Sequence, residues 1–159
     1  MSRQVGRTGR TAVVADATTE DVWRVVADPT QAARWSHECY RVEWLDGRSH
    51  AAVGARFRGS NRSGRMRWSR TCEVVCLVPG REIAWRTVAT RLQPDSTEWR
   101  ITLEPAGTDR TLITQTFRVT RMARWLGWLL ALSNPLHIDR SAALAEDLRR
   151  MAALATRNT

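Results

Sequence analysis

Hydrophobic and polar positions change their period twice along the chain. Residues 11–15 read as a first strand. Thr18 or Thr19 then caps a short helix with Glu20 and Asp21 in its first turn, and Val22, Val25 and Val26 form its apolar stripe at i, i+3, i+4. Asp28-Pro29 places an N-cap before a proline at the first helical position, so a second short helix follows and ends near Trp35. From Tyr40 the period becomes two. Six alternating segments succeed one another, separated by Asp46-Gly47, residues 59–64, Pro79-Gly80, Pro94-Asp95 and Pro105-Ala106-Gly107. Such a run predicts an antiparallel meander with one buried face. Helical spacing returns at Met122, Trp125, Leu126 and Leu129. Asn134-Pro135 then opens a last helix, with His137, Ser141, Leu144, Leu148, Met151 and Ala155 on one stripe. The expected class is α+β: a sheet of about seven antiparallel strands covered on its dry face by the only long helix. One domain is expected over 1–159, with a helical lid-like segment at 121–133 and the final helix at 135–156.

Nearly every predicted strand puts one large ring on the inner face: Trp44, Phe57, Trp68, Trp85, Trp99 and Phe117. The covering helix carries small residues, Ala142, Ala143, Ala145, Ala152, Ala153 and Ala155. Large rings opposite a slim helix either close into a solid core or leave a cavity, and a cavity is expected. Four polar groups point inward: Arg70, Thr87, Gln115 and His137. A buried guanidinium needs an anion, and no carboxylate occupies the inward positions of the neighbouring predicted strands. Arg70 therefore either anchors an anionic ligand group, turns to solvent at a bulge, or pairs with a loop acid such as Glu38. Gln115 and His137 are each either satisfied structural groups or ligand contacts. The catalytic candidates are Arg70, Gln115 and His137. The ligand-binding candidates are Trp44, Phe57, Trp68, Arg70, Trp85, Trp99, Gln115, Phe117, His137 and Leu144. His37 and His50 have no partner that the sequence identifies.

Composition narrows the chemistry. All 25 basic residues are Arg, which excludes a lysine Schiff base and a P-loop lysine. Cys39, Cys72 and Cys76 are too few and badly spaced for a disulfide framework or a zinc site, so no metal or cofactor is expected. Cys72 and Cys76 are read on one strand face as small buried hydrophobes. The N-terminus lacks a signal-peptide core, and the longest apolar run, 125–132, is too short to span a bilayer, so a cytoplasmic protein is expected. A net charge of +9 includes six arginines between Arg56 and Arg70. That hairpin is either a solvated face or a contact for an acidic partner or anionic membrane. No nucleic-acid motif accompanies it, and nucleic acid is not expected. Segment 121–132 is read as a lid, a dimer contact or an interfacial anchor.

Several local motifs resemble the START-like (SRPBCC) superfamily, and within it the polyketide cyclase/dehydrase-type proteins common in actinobacteria. They are Glu20-Asp21-Val22-Trp23 with Val26-Ala27-Asp28-Pro29-Thr30, Arg34-Trp35-Ser36, Arg41-Val42-Glu43-Trp44 and Val53-Gly54-Ala55-Arg56-Phe57-Arg58-Gly59. Trp68-Ser69-Arg70-Thr71-Cys72-Glu73-Val74, Pro79-Gly80-Arg81, Thr97-Glu98-Trp99-Arg100 and Leu103-Glu104-Pro105 complete the set. The resemblance implies a helix-grip fold, a curved antiparallel sheet around a long C-terminal helix enclosing an apolar cavity. Members bind lipids, sterols, polyketides or hormones, and some cyclise or dehydrate aromatic polyketides. The sequence departs from its relatives at His37, where proline is common, and at Arg70, where a small polar residue is common. The expected function is binding of a small hydrophobic ligand, lipid or polyketide-like. The alternatives are a polyketide cyclase/dehydratase and an Arg-rich docking module with a filled core.

Overall fold

The computed structural model describes residues 7–122 and 140–157. Strand β1 (Thr8–Ala15) is followed by helix α1 (Thr19–Val26) and a 3-10 helix (Pro29–Arg34). Six strands come next: β2 (Cys39–Trp44), β3 (Arg56–Ser63), β4 (Met66–Val78), β5 (Glu82–Thr87), β6 (Ser96–Pro105) and β7 (Thr111–Arg121). Helix α2 (Ser141–Arg157) closes the described chain. The expected order of elements is present, with β1 three residues longer than its apolar run. The expected lid-like segment, apart from Arg121 and Met122, and the expected start of the last helix, including His137, lie outside the described residues.

All seven strands form one antiparallel sheet in the order β1-β7-β6-β5-β4-β3-β2. The meander from β2 to β7 pairs each strand with its predecessor, and β1 returns to close the β7 edge. The first helix starts where a cap is available: Thr18 Oγ1 accepts from the Asp21 amide at 3.2 Å and donates to Asp21 Oδ2 at 2.7 Å. Asp28 does the same for the 3-10 helix, accepting from the Thr30 amide at 2.9 Å. Gly80 carries the β4–β5 turn at φ +74°, which a side chain would strain.

Register lays the inner face out in rows. Gly9, Phe117, Trp99, Trp85 and Val74 stand side by side across β1, β7, β6, β5 and β4. One row further in come Gln115, Ile101, Ile83 and Leu77, then Ile113 and Leu103. Gly9 leaves room for the Phe117 ring, into which a Cβ would run. A bulge between Val74 and Cys76 shifts β4 by one residue. This overturns the shared face of Cys72 and Cys76. Cys72 is buried among the inner residues, whereas Cys76 hydrogen-bonds Glu82 at 3.4 Å and Leu77 takes the inward position.

The core is dense at one end. Val22, Val25 and Val26 of α1 meet Leu148, Met151 and Ala155 of α2 over Ile83, Ile101, Leu103 and Ile113. The buried face of α2 is Leu144, Asp147, Leu148, Met151 and Ala155. The expected alanine spine is therefore not what faces the sheet: of those six alanines only Ala155 is buried. On the opposite face of the sheet, Glu73 holds Arg56 and Arg86 at 3.6 and 3.4 Å, and Glu98 holds Arg100 and Arg118 at 3.0 and 3.9 Å. Arg100 also pairs with Glu82.

Candidate ligand cavity

Beyond the Gln115 row the sheet and α2 diverge, and a cavity of about 380 Å³ opens between them. Phe57, Trp68, Trp85, Trp99 and Phe117 line it from the sheet, Trp35 from the end of the 3-10 helix and Leu144 from α2. Trp99 and Phe117 stack at 5.3 Å, and Phe57 meets Trp85 edge-on at 6.3 Å. The expected ring Trp44 does not reach this wall. It stands on the far side of Phe57, edge-on at 5.8 Å, whereas Val42, two residues earlier on β2 and opposite Gly59, does line the cavity.

Three charged constellations are set into this apolar lining. The first is Arg70 on β4, paired in register with Gly59 of β3. Its Nη1 donates to Asp95 Oδ2 at 2.7 Å and its Nη2 to the Asp95 carbonyl at 3.0 Å. Arg70 therefore faces the cavity as expected, but its counter-ion is neither a ligand nor Glu38. It is a loop acid between β5 and β6, two residues beyond the loop's Gln93, whose side chain also ties back to the Ser69 carbonyl at 3.2 Å. The second is Arg140, just before α2, stacked over Trp99 and Phe117 at 5.7 and 5.8 Å. Burial lowers its pKa, and Glu38 and Asp95 oppose that shift.

The third is a buried ion pair joining the two sides of the cavity. His37 Nδ1 lies 2.7 Å from Asp147 Oδ2, and His37 Nε2 lies 3.6 Å from Glu38 Oε1. Burial pulls the imidazole pKa down, but the two carboxylates outweigh it and raise it to about 9. His37 is thus an imidazolium at neutral pH. Nothing local in the sequence announces it, since its partner lies 110 residues away. Asp147 did leave a signal: it is an acid on the apolar stripe of α2, three residues after Leu144 and one before Leu148. Cys72, also in the wall, is held as a thiol, its pKa pushed by burial to about 12. Among the described residues no cluster of three or more His, Cys, Asp or Glu side chains could hold a metal ion.

Five buried side-chain polar atoms lack a hydrogen-bond partner within the described protein: Trp35 Nε1, Trp44 Nε1, Arg70 Nε, Gln115 Oε1 and Asp147 Oδ1. Four of these residues line the cavity. Gln115 and Asp147 are 3% and 2% exposed, so neither can turn to bulk water. Unsatisfied buried polar atoms are rare and costly in folded proteins, and here they gather on one surface.

The family model for polyketide cyclase / dehydrase and lipid transport matches residues 7–156. The chain belongs to this family. Solved structures agree on the fold. The Zhui aromatase/cyclase from Streptomyces sp. R1128 is 20% identical with a TM-score of 0.72, the match covering 96% of this chain and 94% of that one. Protein TTHA0849 from Thermus thermophilus is 13% identical with a TM-score of 0.72, over 96% and 99% of the two chains. Ginseng major latex-like protein 151 from Panax ginseng is 12% identical with a TM-score of 0.66, over 93% and 97%. These likenesses show the helix-grip fold of the SRPBCC proteins. No curated protein matches the chain. Among the described residues no helix is long and apolar enough to cross a membrane.

Proposed function

We propose that the chain binds one small hydrophobic ligand, lipid or polyketide-like, between the sheet and α2. The observation that carries this reading is the gathering of four unpartnered buried polar atoms on the wall of one aromatic-lined cavity. An apolar body among Trp85, Trp99 and Phe117, with hydroxyl or carbonyl groups facing Gln115, Asp147 and the Trp35 indole, satisfies both kinds of surface. An anionic group on the ligand would share Arg70 with Asp95 or displace it. A cytoplasmic, single-domain binding protein with reduced cysteines is consistent with this reading. Native mass spectrometry of the purified full chain tests it. The expected result is uptake of one small aromatic or acyl molecule per chain. A chain that takes up none, with Arg70→Leu indistinguishable from the parent, overturns it.

The second reading is a cyclase or dehydratase acting on an aromatic polyketide, and the His37–Asp147 pair favours it. In that reaction the unpartnered Asp147 Oδ1 would take an α-proton of the polyketide, Arg70 would steady the enolate oxygen so formed, and the enolate carbon would attack a second carbonyl of the same polyketide. Asp147 would return its proton to the alkoxide, the His37 imidazolium would then protonate the resulting hydroxyl so that it leaves as water, and Asp147 would take the remaining α-proton and restore it to His37 across their 2.7 Å contact. His37→Gln then lowers turnover of a poly-β-ketone thioester analogue far more than its binding. Equal losses in both favour simple binding.

A further inference from the structure

The mouth of the cavity has a composition that neither ligand binding nor folding requires. Three apolar side chains stand on its rim, one from each of three separate elements: Met66 after the β3–β4 turn, Leu92 in the β5–β6 loop and Met122 at the end of β7. Leu92 is 93% exposed and Met66 37% exposed. Each is flanked by exposed arginine: Arg65 and Arg67 around Met66, Arg91 before Leu92 and Arg121 before Met122. None of these four arginines has a carboxylate partner among the described residues. By contrast, Arg56, Arg86, Arg100 and Arg118 in the middle of the sheet's outer face all have one. Directly across the hairpin from Arg67 stands Arg62, so two like charges face each other there. Arg62 is held over the Tyr40 ring at 5.6 Å, so Arg67 is the charge of that pair presented at the rim.

From this juxtaposition we infer that the cavity mouth docks onto an anionic lipid bilayer, with Leu92 and Met66 inserted between acyl chains and the arginine collar at the headgroups. An acidic protein would match the collar. It would not account for apolar tips that project between the cations and also line the cavity. In a bilayer those tips belong in the hydrocarbon, and the opening they frame then faces the acyl chains, so a hydrophobic molecule enters without crossing water. The inference does not depend on which ligand the cavity takes.

The test is co-sedimentation of the full chain with phosphatidylcholine vesicles, with and without phosphatidylserine, at low and high ionic strength. Binding should require phosphatidylserine and fall steeply with salt. The double variant Arg65→Gln/Arg67→Gln should weaken it about 25-fold, at about five-fold per arginine. Leu92→Ser alters a solvent-exposed side chain without changing the charge, and its fold is checked by circular dichroism. It should weaken binding at least as much as loss of one arginine. The docking is overturned if vesicles with and without phosphatidylserine bind alike or not at all. It is also overturned if Leu92→Ser leaves phosphatidylserine binding unchanged, because charge alone then explains adsorption. Retention on polyglutamate without vesicle binding assigns the collar to an acidic protein and overturns it as well.

Discussion

The two ends of the layer between sheet and α2 are built from the same strands, yet one is solid and the other hollow. At the solid end, branched aliphatic residues from α1 and from β5 to β7 surround Leu148 and Met151, both 0% exposed. At the hollow end the same strands carry Trp85, Trp99 and Phe117, and α2 answers with Leu144, Asp147 and, just before its first turn, Arg140. The row of Gln115, Ile101 and Ile83 is the frontier. Helix α1 packs on the solid side through its three valines, and its last residue, Val26, also borders the cavity. Stability and function are therefore divided along each strand, with one stretch supplying the core and the next the site.

Substitutions should separate the two ends. The largest effect is expected at the solid end, where Met151→Ala removes a fully buried side chain and should cost about 2–5 kcal/mol in chemical denaturation. At the hollow end Trp99→Leu removes a side chain that already borders open space. It should cost less than that and instead enlarge the ligand that fits. Equal losses at the two sites would contradict the division.

The second effect is the pH dependence built on His37. Its pKa is about 9 in the folded chain against an ordinary 6.5. A raised pKa stabilises the fold fully below about 6.5, and that stabilisation is lost as pH rises through about 9. The magnitude is roughly 2–3 kcal/mol for a shift of this size, allowing for partial exposure. Denaturation midpoints should therefore fall between those two pH values. Asp147→Asn should flatten the slope and bring the His37 titration, followed by NMR, back towards its ordinary range.

Third comes Gly9→Ala. The new methyl runs into the Phe117 ring, which can yield only towards the cavity. The expected result is a loss of about 1–3 kcal/mol together with weaker ligand uptake. The smallest effect belongs to the outer face: Arg56→Gln breaks an exposed pair with Glu73 and should change stability by less than about 1 kcal/mol.

The division also explains what could be read in advance. Strand positions, turns and both short helices were legible because period and capping are local properties, and Asp28-Pro29 alone places the 3-10 helix. The inward rings of β3 to β7 followed from alternation. Trp44 failed as a wall residue because alternation fixes a face but not a depth: Val42 on the same strand reaches the cavity and Trp44 stops behind Phe57. Cys76 failed because a one-residue bulge reverses every later side chain. The alanines of α2 suggested a slim spine, but all of them except Ala155 lie beside the buried stripe rather than on it. The charged pairs were the hardest to foresee. Arg70 with Asp95 joins a strand to a loop, and His37 with Asp147 joins the two ends of the chain, so no spacing rule connects either pair. Arg140 carries no signal in the sequence because it falls inside the helix expected over 135–156 and off its apolar stripe.

The most direct test of the hollow end is a titration of the full chain with 2-naphthoate, followed through the tryptophan indole N–H signals in two-dimensional NMR. The account predicts saturable shifts at Trp68, Trp85 and Trp99, with Trp23 and Trp44 unmoved. Shifts spread evenly over all of these indoles, or none at saturating probe, would contradict it.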